Sequence, residues 1–206
     1  MADDAKRFPA LENRIRPFQQ MEQAWYLGKM PGSVDGLLPS KGRPYRPLPS
    51  YGIIDAQSVK TQCASEERGI DGGKKVKGHQ RHIVVDILGN LLYVRVHAAN
   101  LSDTQSACEV LEGAASKFPS LEAFSGDAGY RGTAVDFTST KLGMILHISA
   151  KIEGQWAVLP KRWVVERTFS WLGHFRRLSK DFEILPATAE NMIRIAKLKL
   201  TLPKCC

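Results

Sequence analysis

The chain has few of the features that mark a disulfide scaffold, a zinc module or a membrane anchor. Its four cysteines, Cys63, Cys108, Cys205 and Cys206, form no C-x-x-C pair, and two of them are adjacent at the terminus. That spacing suits neither a disulfide framework nor a zinc site. No apolar run approaches the roughly 20 residues that a spanning helix needs, and the opening Met1-Ala-Asp-Asp-Ala-Lys-Arg lacks the apolar segment of a secretory leader. A soluble, cytoplasmic protein is therefore expected. Internal repeats and low-complexity runs are absent as well.

Acidic residues are in short supply. Twenty-one Asp and Glu face 29 Lys and Arg, a formal charge of +8 with a pI near 9.4. Such an excess favours a polyanionic partner, nucleic acid first and an anionic membrane surface second. The only candidate for the membrane surface is Met192 to Leu202, a modest amphipathic stretch whose apolar residues core packing explains more simply. A length of 206 residues with 43% hydrophobic content allows one domain with a core and is tight for two.

Proline divides the chain. Seven of the eleven prolines (Pro9, Pro17, Pro31, Pro39, Pro44, Pro47, Pro49) lie in residues 1–50. Proline removes a backbone donor and disfavours helix in the residue before it, so this stretch reads as a linker or loose arm. Helical spacing of Ile15, Phe18, Met21, Trp25 and Tyr26 points to a short helix over Leu11 to Leu27, against Pro17.

From Tyr51 onward the pattern becomes regular. Tyr51 to Val59 is a β-rich run, and His82–Leu88 with Leu91–Val96 flank Gly89-Asn90 as a hairpin with a two-residue loop. Asp103 to Lys117 reads as a helix capped at Ser102 or Asp103, with Ala107, Val110, Leu111 and Ala114 as its apolar stripe. A strand over Leu121–Phe124, a glycine-rich loop over Gly126–Gly132, a helix over Ala134–Leu142 and a strand over Met144–Ile148 follow. A long helix over Arg162–Lys180 closes the region. This order predicts an α/β domain with a mixed sheet over residues 51–206.

Three carboxylates stand out. Asp55 follows Ile53-Ile54, and on a central strand its burial would be costly unless a cation or hydrogen bonds compensate; the ordinary alternative is a turn or exposed strand end. Asp127 lies just past a strand in a loop flanked by Gly126 and Gly129, where ligand sites of α/β sheets form, though turn aspartates are common. At about 100° per residue, Glu166 falls opposite Val164, Trp171, Leu172, Phe175 and Leu178. It shares a polar face with Arg162, Ser170 and Arg177, an arrangement that by itself describes a solvated helix face. The conjunction carries the argument. Three convergent carboxylates can hold two divalent ions about 4 Å apart, which clamps both oxygens of a phosphodiester displacement. Hard oxygen donors favour Mg²⁺ or Mn²⁺. His79 and His82 flank Arg81 in a basic run, read as the phosphate-contacting entry to a strand or as a solvated charge run.

Residues about 50–200 resemble the DDE transposases of bacterial insertion sequences, the IS-five-like group. The resemblance rests on Ile54-Asp55-Ala56-Gln57-Ser58-Val59-Lys60-Thr61, on Gly69 to Gly78 running into Arg81-His82-Ile83, on Gly126-Asp127-Ala128-Gly129-Tyr130, and on Arg162-Trp163-Val164-Val165-Glu166-Arg167-Thr168-Phe169. It implies an RNase H-like fold with Asp55, Asp127 and Glu166 as catalytic metal ligands for Mg²⁺ or Mn²⁺, two ions in all. It further implies hydrolysis at the element's ends, followed by attack of the freed 3′-hydroxyl on target DNA, by a cytoplasmic, nucleoid-associated homo-oligomer.

Arg162 matches the arginine before the glutamate in a wider transposase signature, whereas Leu159 and Gly173 stand where that signature has tyrosine and lysine. Their phosphate contacts then fall to Arg167, Arg176 or Arg177. With Lys60, Lys74, Lys75, Lys77, Arg81 and Arg162 these make up the expected DNA-binding set. Residues 1–50 match the family's end-recognition region poorly, which implies a truncated or frame-split product. Two alternatives stay open: a catalytically inactive DNA-binding remnant that regulates a full-length transposase, and a general RNase H-like nuclease without strand transfer.

Overall fold

The computed structural model describes residues 48–149 and 162–202, all within one compact unit, Pro44–Cys206. The expected arm over residues 1–50, apart from its last three residues, and the helix over Leu11 to Leu27 lie outside the described residues.

The sheet is built on β1 (Tyr51–Lys60). On one side β1 pairs antiparallel with β3 (Val76–Val85), which pairs antiparallel with β4 (Leu91–Ala98). A short β2 (Gly69–Asp71) shares the outer edge of β3. On its other side β1 pairs parallel with β5 (Ala123–Gly126), and β5 pairs parallel with β6 (Ile145–Ile148). Three antiparallel strands flanked by two parallel ones, with helices on both faces, form the mixed RNase H-like sheet that the resemblance implies.

Alternation along β1 assigns the faces. Ile54 packs with Val84, Leu92 and Phe124 beneath α1 (Asp103–Lys117) and α2 (Thr133–Leu142). The helix α1 forms where its stripe predicts. Ser102 caps it by accepting from the Gln105 N–H, and Ala107, Val110, Leu111 and Ala114 are buried. Ile53 and Asp55 point the other way, toward α3 (Arg162–Gly173), which packs against β1, while α4 (Pro186–Thr201) covers β4. Core packing accounts for Ile193 and Ala196 of α4, but Ile195 and Leu198 are exposed. No helix among the described residues is long and apolar enough to cross a membrane.

Two elements differ from expectation. The β3–β4 connection is not a two-residue loop. The Asp86 carboxylate accepts from the N–H groups of Leu88 and Asn90 at 2.9 and 2.8 Å and from the Asn90 side chain at 2.9 Å. This ends β3 at Val85 and leaves Gly89 at φ +85°, a backbone that glycine adopts without strain. The last helix of the motif region stops at Gly173, short of Lys180, and a 3₁₀ turn follows at Arg176–Leu178.

The chain turns there because a buried polar cluster pulls it onto the sheet. Arg81 is 1% exposed and donates to the carbonyls of Leu178 and Lys180 at 2.7 and 3.3 Å. His79 contacts the Asp181 carboxylate at 3.0 Å and the Glu66 carbonyl at 2.6 Å. The backbone of Asp181 bonds to Gln62 and Lys60 at 2.8 Å each. Burial opposes charge on His79, but Asp181 and the Glu66 carbonyl outweigh it and hold the imidazole pKa above its ordinary value. His82 is sealed against His97 at 2.8 Å. Burial first, then the like charges of His97 and Lys74, push its pKa down to about 3. The run from His79 to His82 is thus interior rather than the phosphate-contacting surface expected of it.

Removing one partner of a buried pair strands the other. Asp181→Ala is expected to lower the unfolding free energy by about 3 kcal/mol in urea titrations near pH 5.5. Because the folded pKa of His79 is raised, its contribution is complete below its unfolded value of 6.5 and is lost as pH rises through the folded value. The loss caused by the substitution therefore shrinks toward pH 8. An equal loss at both pH values would exclude the charged pair.

Candidate active site

Register brings the first two carboxylates together. In the parallel pairing of β1 with β5, Ile53 is partnered by Ser125. Two further residues along each strand lead to Asp55 and Asp127 on the same face. Asp55 accepts from the Ala56 N–H at 2.8 Å. Asp127 begins the 3₁₀ turn Ala128–Tyr130 by accepting from the Gly129 N–H at 2.8 Å. The same cleft is lined by Ser125, Ser149 and Arg162.

The third carboxylate arrives on α3. Its buried side carries Trp163, Val164, Val165, Phe169 and Leu172, which leaves Arg162, Glu166 and Ser170 partly open. Arg162 Nε lies 2.8 Å from Glu166 Oε1, and its Nη2 lies 3.8 Å from Asp127 Oδ2. One guanidinium thus joins two of the three carboxylates.

Asp55 registers the environment most strongly. Burial raises its pKa to about 7, the Ala56 N–H and Arg162 pull it down, and the charges of Asp127 and Glu166 push it up. A carboxylate in that position is short of positive charge. The carboxylate and hydroxyl oxygens that line the cleft, from Asp55, Asp127, Ser125 and Ser149, suit a hard divalent cation. As the side chains stand, no group of three or more His, Cys, Asp or Glu among the described residues is gathered closely enough to grip an ion. The Arg162 guanidinium is the cation in contact with the cluster.

Beneath the cleft lies a second layer that the residue pattern did not mark. Tyr130 is 1% exposed, and its hydroxyl has no partner among the described residues. Burial first, then the charges of Asp55, Asp103 and Asp127, raise its pKa well above the ordinary value. Gln80 donates to the Asp103 carboxylate. A Cβ at Gly129 would stand 2.9 Å from Asp127 Oδ1 and 3.7 Å from Asp103 Oδ2, so that glycine keeps the approach between the two carboxylates open. In the sequence Asp103 reads only as a cap or first-turn acid of α1, and Ser102 takes the cap. The spacing of Tyr130 after Asp127 was its only mark.

Two expected phosphate contacts are corrected. Arg81 is buried on main-chain carbonyls. Arg167, 7% exposed, lies between the rings of Trp163 and Trp171 at 4.3 and 4.4 Å and donates to the Leu88 carbonyl. Neither guanidinium is presented to solvent. Lys60, Lys74, Lys75, Lys77, Arg176 and Arg177 are exposed, with Arg177 paired to Glu183 at 2.8 Å. Lys74, Lys75 and Lys77 cluster at the β2–β3 turn, where Lys74 also faces Asp71 at 3.7 Å. Leu159 lies outside the described residues.

The sequence matches the family described as "Transposase DDE domain" over residues 46–198. Among solved structures, the chain is similar to the catalytic core domain of BIV integrase at a TM-score of 0.45 and 11% identity, covering 73% of this chain and 82% of that one. It is likewise similar, at a TM-score of 0.45 and 14% identity, to a chain in the structure of the simian T-cell lymphotropic virus intasome in complex with PP2A regulatory subunit B56 gamma, covering 75% of this chain and 49% of that one. No curated protein matches.

The raised pKa of Asp55 has a consequence for stability. Between 3.8 and about 7 the folded chain keeps a proton that the unfolded chain has lost, so stability falls as pH rises through that window. Asp55 remains partly open to solvent, which discounts the effect. In protein stripped of metal, Asp55→Asn is expected to raise the unfolding free energy by about 2 kcal/mol at pH 8, with the gain vanishing near pH 4. Denaturant titrations at the two pH values check this, and a variant less stable than wild type at pH 8 would contradict it.

Proposed function

The chain belongs to the transposase DDE-domain family, and from that membership we propose that Asp55, Asp127 and Glu166 hold the divalent metal ions of a transposase active site on DNA. The observation that supports the assignment is the register of β1 against β5, which sets Asp55 beside Asp127 under the helix that carries Glu166. Membership of this family connects the chain to DNA transposition. The IS-five-like group, a catalytic domain over residues 51–206 and action as a homo-oligomer on DNA belong to the same proposal.

Magnesium or manganese, when bound, would activate the attacking oxygen and stabilise the leaving one. In the first displacement a water oxygen bonds to phosphorus at the element's end and the P–O3′ bond breaks, leaving a 5′-phosphate and a 3′-hydroxyl. In the second, that hydroxyl bonds to a target phosphorus and a target 3′-oxygen leaves with the proton. Asp55, on β1, and Asp127, just past the end of β5, supply fixed oxygens. Glu166 brings the third carboxylate from a helix. The exposed lysines at the β2–β3 turn offer phosphate contacts that position DNA without reading its sequence.

Nicking and strand transfer on labelled DNA carrying candidate element ends, with Mg²⁺ or Mn²⁺, test the assignment. Asp127→Asn is expected to reduce both at least about a hundredfold. Persistent cleavage would remove Asp127 from the site, nicked products that never join would indicate a nuclease, and a wild type that binds DNA without cutting it would indicate an inactive remnant. Replacing Lys74 and Lys75 together by alanine is expected to flatten the salt dependence of DNA binding by about two in log–log slope. An unchanged slope would place the DNA elsewhere.

A further inference from the structure

Arg162 stands where the positive charge of the site is needed. It is the first residue of α3, one turn before Glu166, and lines the cleft together with Asp55 and Asp127. Its Nε contacts Glu166 Oε1 at 2.8 Å and its Nη2 faces Asp127 Oδ2 at 3.8 Å. Arg81 and Arg167 are committed to the carbonyls of Leu178, Lys180 and Leu88 and cannot take its place.

We propose that Arg162 is a built-in counter-ion: in metal-free protein it occupies the carboxylate cluster, it competes with the divalent cation for Glu166, and once displaced it is free to bind a DNA phosphate. This rests on the metal-binding reading of Asp55, Asp127 and Glu166. A helical ion pair four residues apart and over a third exposed on both sides is weak, so it taxes an incoming ion only modestly. A divalent ion gains more from converging carboxylates than one delocalised charge does. The guanidinium fork that fits a carboxylate fits a phosphate equally well.

Metal and DNA then help each other through one side chain. A phosphate that draws Arg162 off Glu166 removes the competitor, and a metal that displaces Arg162 releases a phosphate ligand. Linkage requires the two effects to be equal in free energy.

The test is Mn²⁺ binding to the metal-stripped full chain, followed by electron paramagnetic resonance, with and without a duplex of arbitrary sequence. Without DNA, Arg162→Gln is expected to bind Mn²⁺ about fivefold or more tightly than wild type. DNA is expected to tighten Mn²⁺ binding to the wild type by a similar factor and to the variant by clearly less. Circular dichroism reports folding. If the glutamine variant does not fold, Arg162→Lys carries the test: it keeps the charge on a compact head without the fork, and a twofold or greater tightening is expected. Affinity unchanged or weakened in the folded variant overturns the proposal. Asp127→Asn separates the two layers. If it binds Mn²⁺ as well as wild type does, the metal reading itself fails. If it loses binding while Arg162→Gln leaves affinity unchanged, only the role of Arg162 fails.

Discussion

A carboxylate on the central strand of a sheet needs positive charge brought to it, and the arrangement on the α3 side of this domain answers that need at Asp55. Its backbone is locked by β3 on one side of β1, and the β1–β5 pairing just before it fixes what lies on the other, so the side chain cannot retreat from its position. Burial and two neighbouring carboxylates make ionisation costly. The opposing charge comes from α3, whose first residue, Arg162, pulls the Asp55 pKa down, while Glu166 one turn later adds to the cost. The helix can offer that polar edge because Trp163, Val164, Val165, Phe169 and Leu172 bury the rest of it.

Two buried guanidiniums support the site from behind without touching it. Arg81 reaches through the core to the segment that follows α3 and, with His79 and Asp181, ties it to β3 and the end of β1. Arg167, held between two indole rings, anchors the same helix to the β3–β4 loop. Both hold the position of α3 relative to β1, and hence the distance from Glu166 to Asp55. The basic surface is smaller than the charge count suggests, because Arg81 and Arg167 are spent inside.

Much of the architecture was legible in the residue pattern. The stripe Ala107, Val110, Leu111, Ala114 and the cap at Ser102 depend on neighbours three or four positions apart, and α1 forms over the residues they indicate. The hairpin was read correctly in kind and wrongly in length, since the carboxylate of Asp86 reorganises the loop in a way that no alternation of side chains reports. The end of α3 was missed for a similar reason, because the turn at Arg176 is drawn by a strand far back in the chain.

The sequence by itself determined the order of strands and helices, the basic excess and the four ordered motifs that carry family membership, because each is written in residue identity and short spacing. Only the tertiary structure decided what individual polar side chains do. Arg81 and Arg177 look alike in one dimension, yet one meets a carbonyl 97 positions away and the other stays at the surface beside Glu183. Tyr130, Asp103 and Gln80 likewise acquire a place beneath the carboxylates only when β3, α1 and the loop after β5 converge. The physical reason is range. Helix and strand periodicity follow from contacts within a turn or across one residue, whereas the partner of a long polar side chain is set by whatever the fold packs against it.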